Sequence, residues 1–198
     1  MKAYKKNLLL SLVIFIAGFF ILDFPYFYFQ INRVFIGHTY SYVFSVSTSA
    51  QQKENLPANT IKILSLNILA PIVYPPKLSD SYENYLKQGT VHFPGSALPG
   101  QYGNCFIFGH SSDLIWVNSG YKTVFAPLPG IAQGTSIFVS DASGQTFEYV
   151  VTKTLITGPN DVSVLDQQGN TKRLLTLQTS YPLGTALERF IVQAELQN

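Results

Sequence analysis

Of the chain's 198 residues, 46% are hydrophobic and only 12% are charged, about half the charged share of an ordinary soluble domain, and the mean hydropathy is positive at +0.16. The length suits one well-buried domain with an appendage, and the scarcity of charge points to a membrane segment. A net charge of +2 with no long basic stripe excludes nucleic acid as a partner; the single cysteine, Cys105, excludes an internal disulfide and any zinc site built from several cysteines.

Residues 1–6 (MKAYKK) carry three lysines, and 7–22 (NLLLSLVIFIAGFFIL) carry no charge. Asp23 interrupts, and the aromatic-rich run 24–31 (FPYFYFQI) follows. Sixteen uncharged residues are short for crossing ~30 Å of hydrocarbon, but the aromatic run can supply the outer interfacial belt. The lysines then stay in the cytoplasm and the chain beyond about residue 32 lies outside. A cleaved signal peptide would need a small-x-small site, where Asp-Phe-Pro-Tyr-Phe stands instead. A buried core helix would need a polar face that 8–22 lacks. Residues 1–31 are therefore read as a cytoplasmic tail and transmembrane signal anchor. The Ser/Thr/Gln-rich stretch that follows makes 32–58 a stalk or membrane-proximal linker, and 59–198 the folded domain.

Within that domain, short alternating or β-branched runs recur at 61–66, 104–109, 135–140, 146–152, 173–178 and 189–196, with Gly, Pro and Asn between them. Many short strands with turn signals predict an all-β fold, a closed or nearly closed antiparallel barrel or a sandwich. Ala-Ser-Gly at 142–144 joins two strands, and Gln-Gly-Asn at 168–170 precedes another. Helix is expected only at 80–88, with Ser79 or Asp80 as N-cap and Gly89 as its end. A further turn over 123–132 is weakened by two prolines. No repeat, GxGxxG motif or Walker-type loop offers a nucleotide site.

His110 closes the run 104–109, Ser180 follows 173–178 after one threonine, and Arg189 opens the final run. Ends of barrel strands are where a rigid scaffold presents side chains to a cleft. A histidine beside a nucleophile, with an arginine for developing negative charge, is the minimum for acyl transfer. Each residue also has an ordinary reading: His110 capping a strand, Ser180 in a Pro/Gly turn, Arg189 paired with Glu188 at the surface. Cys105 is expected to be a buried thiol without a catalytic role. His38 and His92 lack a second ligand nearby, so no metal is expected. Asp113 and Asp141 are possible orienters of His110.

The segments 89–110 (GTVHFPGSALPGQYGNCFIFGH) and 176–180 (TLQTS), with Arg189 followed by FIV, resemble the signature blocks of the sortase family. Supporting matches are 61–73 (IKILSLNILAPIV) and 124–139 (VFAPLPGIAQGTSIFV), and the five blocks cover about residues 60–196 in order. The resemblance implies a closed eight-stranded β-barrel with one or two short helices, a single-pass cell-membrane protein with its catalytic domain outside. It implies cleavage of a Leu-Pro-x-Thr-Gly-like motif on surface proteins between Thr and Gly. The acyl fragment would then pass to an amine, such as a peptidoglycan precursor or a pilin lysine. In that scheme His110 is the general acid and later base, and Arg189 holds substrate and oxyanion. Thr179 joins the oxyanion site, Ala70 and Pro71 contact substrate, and no cofactor is called for.

The resemblance breaks at the nucleophile, where Ser180 occupies the family's cysteine position. A hydroxyl is a far poorer nucleophile than a thiol of pKa ~8.5, so the chain is expected to be inactive or impaired. Engineered replacement and natural loss both fit, and the retention of His110 and Arg189 favours the former. The alternatives are a membrane-tethered module that binds sorting-motif peptides without chemistry, and a serine hydrolase. The latter is disfavoured because Q-T-S-Y-P is no nucleophile elbow. The motif preference is expected to reside in 154–172.

Overall fold

The computed structural model describes residues 11–15, 18, 55–77, 82–112, 119–167 and 171–197. Contacts divide the chain into two units, Met1–Gln52 and Lys53–Asn198. In the first, residues 11–15 and 18 are helical, and Leu12, Val13, Ile14 and Phe15 are each more than half exposed. Among the described residues no helix is long and apolar enough to cross a membrane. Most of the expected anchor and stalk, the N-cap at Ser79 or Asp80, Asp113 and the turn at 168–170 lie outside the described residues.

The described residues of the second unit form eight strands: β1 (Thr60–Ile63), β2 (Ile68–Val73), β3 (Thr90–His92), β4 (Gly103–Phe108), β5 (Ser136–Ser140), β6 (Thr146–Thr157), β7 (Arg173–Tyr181) and β8 (Glu188–Leu196). They close into a barrel in the order β1-β2-β3-β4-β7-β8-β6-β5. One short helix, α1 (Tyr82–Leu86), crosses between β2 and β3, and 3-10 turns occupy Leu64–Leu66, Leu128–Gly130 and Ser163–Leu165. The all-β barrel matches the expectation, but the expected antiparallel pairing is corrected. β2 pairs with β3 in parallel, and so does β4 with β7. The chain between β4 and β7 makes β5 and β6 before returning, and a connection of that length permits a parallel neighbour.

Alternation fills the barrel. Ile61 and Ile63 of β1, Ile68, Ala70 and Ile72 of β2, Cys105 and Ile107 of β4, and Leu175 and Leu177 of β7 point inward with Tyr149, Val151, Val192 and Ala194 to form the core. The opposite face of β4 carries Phe106, which packs with Ile191 of β8 and Val164 of the β6–β7 connection in a second, external cluster flanked by Phe93, Phe108, Leu155 and Leu165. This outer cluster lies between β4, β8 and the β6–β7 connection, next to the end of the barrel where the predicted site residues fall.

Candidate active site

The period of two decides which side chains meet at the end of β7. Leu175, Leu177 and Thr179 are buried, so Ser180 and Gln178 face outward. On β8 the same rule turns Phe190 and Val192 to the core and Arg189 and Ile191 to the outside. Ser180 and Arg189 are directly opposed in the antiparallel ladder, which places their Cβ atoms ~4.5–5.5 Å apart on one face. Arg189 Nη1 donates to the carbonyls of Ala186 and Glu188, both at 3.0 Å. The turn before β8 thus anchors one corner of the guanidinium.

β4 lies on the other side of β7, with Phe108 level with Gln178. The contact continues past the strand: the Gly109 N–H donates to Gln178 O at 3.1 Å, and Thr179 Oγ1 donates to Gly109 O at 2.9 Å. His110 follows immediately and so comes level with Ser180. Its carbonyl accepts from the Phe125 N–H at 2.9 Å. Glycine is required before it, because a Cβ at 109 would stand 2.8 Å from Phe125 Cδ2. The three expected residues therefore sit at the same end of three adjacent strands, in the order β4, β7, β8, and all three are half-buried.

Other expectations fare differently. The Thr179 side chain is turned inward and its hydroxyl hydrogen is committed to Gly109 O, so it braces the site. Ala70 is 2% exposed and packed in the core. It pairs with Ile61 in the β1–β2 ladder. Pro71 is half-buried, and its carbonyl accepts from Thr90 Oγ1 at 3.1 Å. Asp141 does not reach toward His110 as an orienter. Its Oδ1 accepts from Ser143 N–H, Ser143 Oγ and Gln145 N–H at 2.8, 2.6 and 3.0 Å, bonds that hold its carboxyl below the usual range.

The carboxylate at the histidine is one the sequence reading missed. Glu83 Oε2 lies 3.3 Å from His110 Nε2. Its neighbour Tyr82 packs edge-on against Phe108 with ring centroids 6.3 Å apart. Partial burial, then the Glu83 charge and a hydrogen bond to Glu83, hold the Tyr82 phenol above its ordinary range, while the Arg189 charge opposes them. Tyr82, Glu83, His110 and Arg189 thus share one electrostatic neighbourhood. Only the position of Glu83 in the short helix could have hinted at this, since 27 residues separate it from His110 and no local pattern links them.

The β6–β7 connection is held to the start of β4 by polar contacts. Asn104, 1% exposed, donates from Nδ2 to the carbonyls of Val164 and Asp166 at 2.9 and 3.2 Å and accepts from Thr176 Oγ1 at 2.7 Å. Gln167 Oε1 accepts from the N–H groups of Asn104 and Ala97 at 3.0 and 3.3 Å, and its Nε2 donates to Leu165 O at 3.0 Å. The β6–β7 connection is thereby fastened to the outside of β4.

Comparison with known proteins gives one consistent match. The Sortase domain family matches residues 61–197. Among solved structures, the chain is similar to sortase C-1 from Actinomyces oris, with 28% identity over 70% of this chain and 73% of that one and a TM-score of 0.59. It is similar to sortase A from Corynebacterium diphtheriae, with 26% identity over 75% of this chain and 64% of that one and a TM-score of 0.60. A Clostridium perfringens sortase D5 transpeptidase matches at 26% identity over 70% and 78%, with a TM-score of 0.57. No curated protein matches the sequence.

Proposed function

The chain belongs to the sortase family, and from that membership and the site geometry we propose that it is a membrane-anchored sortase that cleaves a Leu-Pro-x-Thr-Gly-like motif and transfers the acyl fragment to a surface amine. The observation that carries this reading is the direct pairing of Ser180 with Arg189 across β7 and β8, with His110 brought level on β4. A nucleophile position, a proton-transfer group and a cation at the same end of three adjacent strands support the reading, because acyl transfer through a tetrahedral intermediate needs all three.

Each group has a role in this scheme. The side chain at 180 attacks the Thr carbonyl of the motif, and His110 protonates the departing amine and later deprotonates the incoming one. Arg189, with Nη1 held by the β8 turn, turns its remaining N–H groups to the oxyanion or the peptide backbone. The substrate lies along the outer face of the strand ends, beside the β6–β7 connection. The exposed apolar helical residues near the N-terminus support tethering to the cell membrane with the barrel outside.

Ser180 slows this chemistry, because an alcohol is a weaker nucleophile than a thiol at neutral pH. The test is Ser180→Cys. The expected result is cleavage of a sorting-motif peptide and hydroxylamine-dependent exchange, both abolished by His110→Ala in that background. Peptide binding without turnover in Ser180→Cys would instead establish a non-catalytic binding module.

A further inference from the structure

We infer that Glu83 is a positioning residue of the acyl-transfer site, in which its carboxylate orients the His110 imidazole and balances the charge that the ring acquires. The inference rests on the acyl-transfer reading above and adds a fourth group to it, carried by α1 from outside the barrel.

The geometry separates this contact from an ordinary surface ion pair, which contributes little. His110 is only 16% exposed in its side chain, and Nε2 itself is shut off from solvent, meeting Glu83 as a charge contact and not in hydrogen-bond geometry. The carboxylate 3.3 Å away is about half exposed, at 51%. The buried nitrogen therefore faces the charge while water reaches the carboxylate from its other side. The helix that carries Glu83 is fixed at several points. Leu86 is buried, Tyr82 leans on Phe108, and Ser119 Oγ donates to Lys87 O at 2.8 Å, tying the helix to the chain that follows the histidine. Gly89 permits the close return of the chain, since a Cβ there would meet Pro71 O at 2.3 Å.

The chemistry follows from which nitrogen faces the carboxylate. A proton on Nε2 is favoured there, leaving the lone pair on Nδ1 as the base. Nδ1 takes the proton of the hydroxyl at 180 as Oγ bonds to the substrate carbonyl carbon. The imidazolium so formed is paired with Glu83. Collapse of the tetrahedral intermediate breaks the C–N bond, and the leaving amine carries the proton away, giving an acyl ester and a neutral ring. The acceptor amine then attacks the ester carbon. His110 takes the amine's proton and returns one to Oγ, which leaves as the free hydroxyl. A carboxylate-backed histidine is the support that an alcohol nucleophile needs more than a thiol does, so a serine at 180 gains most from Glu83.

The test has two arms. In the Ser180→Cys background, Glu83→Gln is expected to lower kcat about 10- to 100-fold, with KM for the motif peptide changed less than about twofold. Glu83→Asp recovers part of the loss, and the exposed control Asn84→Ala stays within twofold of the parent. In the unaltered chain, nitrogen-15 spectra of the His110 ring are expected to show the Nε2-protonated tautomer, and Glu83→Gln to turn it into a mixture, with the thermal midpoint unchanged in both. A Glu83→Gln enzyme that keeps its kcat, or a ring protonated on Nδ1, overturns the inference while leaving the acyl-transfer reading intact. A silent Ser180→Cys enzyme with the expected tautomer sinks the acyl-transfer reading instead, and Glu83 then holds the ring for no reaction.

Discussion

The hydroxyl of Thr179 donates to the carbonyl of Gly109 at 2.9 Å inside the barrel wall, so the residue before the candidate nucleophile is bonded to the residue before the candidate histidine. Two strands that are 70 residues apart in the chain are thereby locked in register at the point where their next side chains must cooperate. A shift of one residue between β4 and β7 would turn one of the two side chains inward.

Thr179→Val, nearly equal in volume, leaves the buried Gly109 carbonyl without that donor. The expected destabilisation is about 1–3 kcal/mol, read from chemical denaturation of the barrel. In the Ser180→Cys background kcat is expected to fall with it, because His110 loses its brace, whereas Thr179→Ser keeps the hydroxyl and most of both quantities. A Thr179→Val protein with parental stability and turnover would remove Thr179 from the site altogether.

The β6–β7 connection is held by side-chain amides acting as substitutes for a strand partner. Gln167 Oε1 satisfies two backbone donors, and Asn104 Nδ2 serves two carbonyls of the connection. Gln167→Leu should therefore loosen this connection without touching the ladder from β4 to β8. Hydrogen exchange at the amides of Leu165 and Asp166, which close the 3-10 turn, is expected to speed up at least tenfold. In the Ser180→Cys background KM for the motif peptide rises while kcat changes little. Unchanged exchange would show that the connection holds itself by its apolar contacts to Phe106 and Ile191.

How much was readable beforehand depended on how clearly turn residues bounded each apolar run. Runs such as 104–109, 173–178 and 189–196 are short and apolar or β-branched, and each became a strand within three residues of expectation. β6 was expected to stop at 152 and runs to Thr157, because the ladder slips between Val151 and Lys153 and the alternation changes phase there. The run expected at 61–66 ends as a strand at Ile63 and turns through Leu64–Leu66, and β2 (Ile68–Val73) was not expected, since Pro71 stands within it. Pro71 is tolerated in it because the Ile72 N–H points to Asn59 O on the β1 side, so position 71 points the other way, where pairing with β3 begins only at Ile72. Positions 110, 180 and 189 were legible as ends of strands that come together. The contact of Glu83 with His110 was not, because tertiary packing brings the carboxylate from another element.

His92 gives the barrel a pH dependence of definite sign. It is 4% exposed, stacked on Tyr74 with centroids 4.8 Å apart, and its Nε2 meets Ala97 O at 2.9 Å. Burial depresses its pKa, and the bond to the Ala97 carbonyl opposes that only in part. The unfolded chain therefore binds the proton more readily than the folded one. The barrel is expected to keep its full stability above the ordinary histidine range near ~6.5 and to lose it as pH falls from there toward the depressed folded value. Thermal midpoints measured between pH 8 and pH 5 should fall more steeply for the parent than for His92→Gln, which lacks the titrating group. Parallel curves for the two proteins would show that His92 is not a source of the acid sensitivity.

Cys105 offers a reading of the barrel's integrity that is independent of peptide turnover. It lies in the middle of β4 with no exposed surface, opposite Leu175 and within the main core. Burial alone pushes its thiol far above the ordinary range, so the folded protein presents almost no thiolate, and alkylation there must wait for the strand to leave the sheet. Iodoacetamide is expected to leave the native unaltered chain unmodified over hours and to add one group in denaturant. In native Ser180→Cys it should add one group at the introduced thiol only, which makes the alkylation rate a direct report on the activation of that thiol by His110 and Arg189. Alkylation of Cys105 in the native protein at a rate within about tenfold of the denatured one would mean that β4 opens readily, and the register that aligns positions 110 and 180 could not then be a stable feature of the fold.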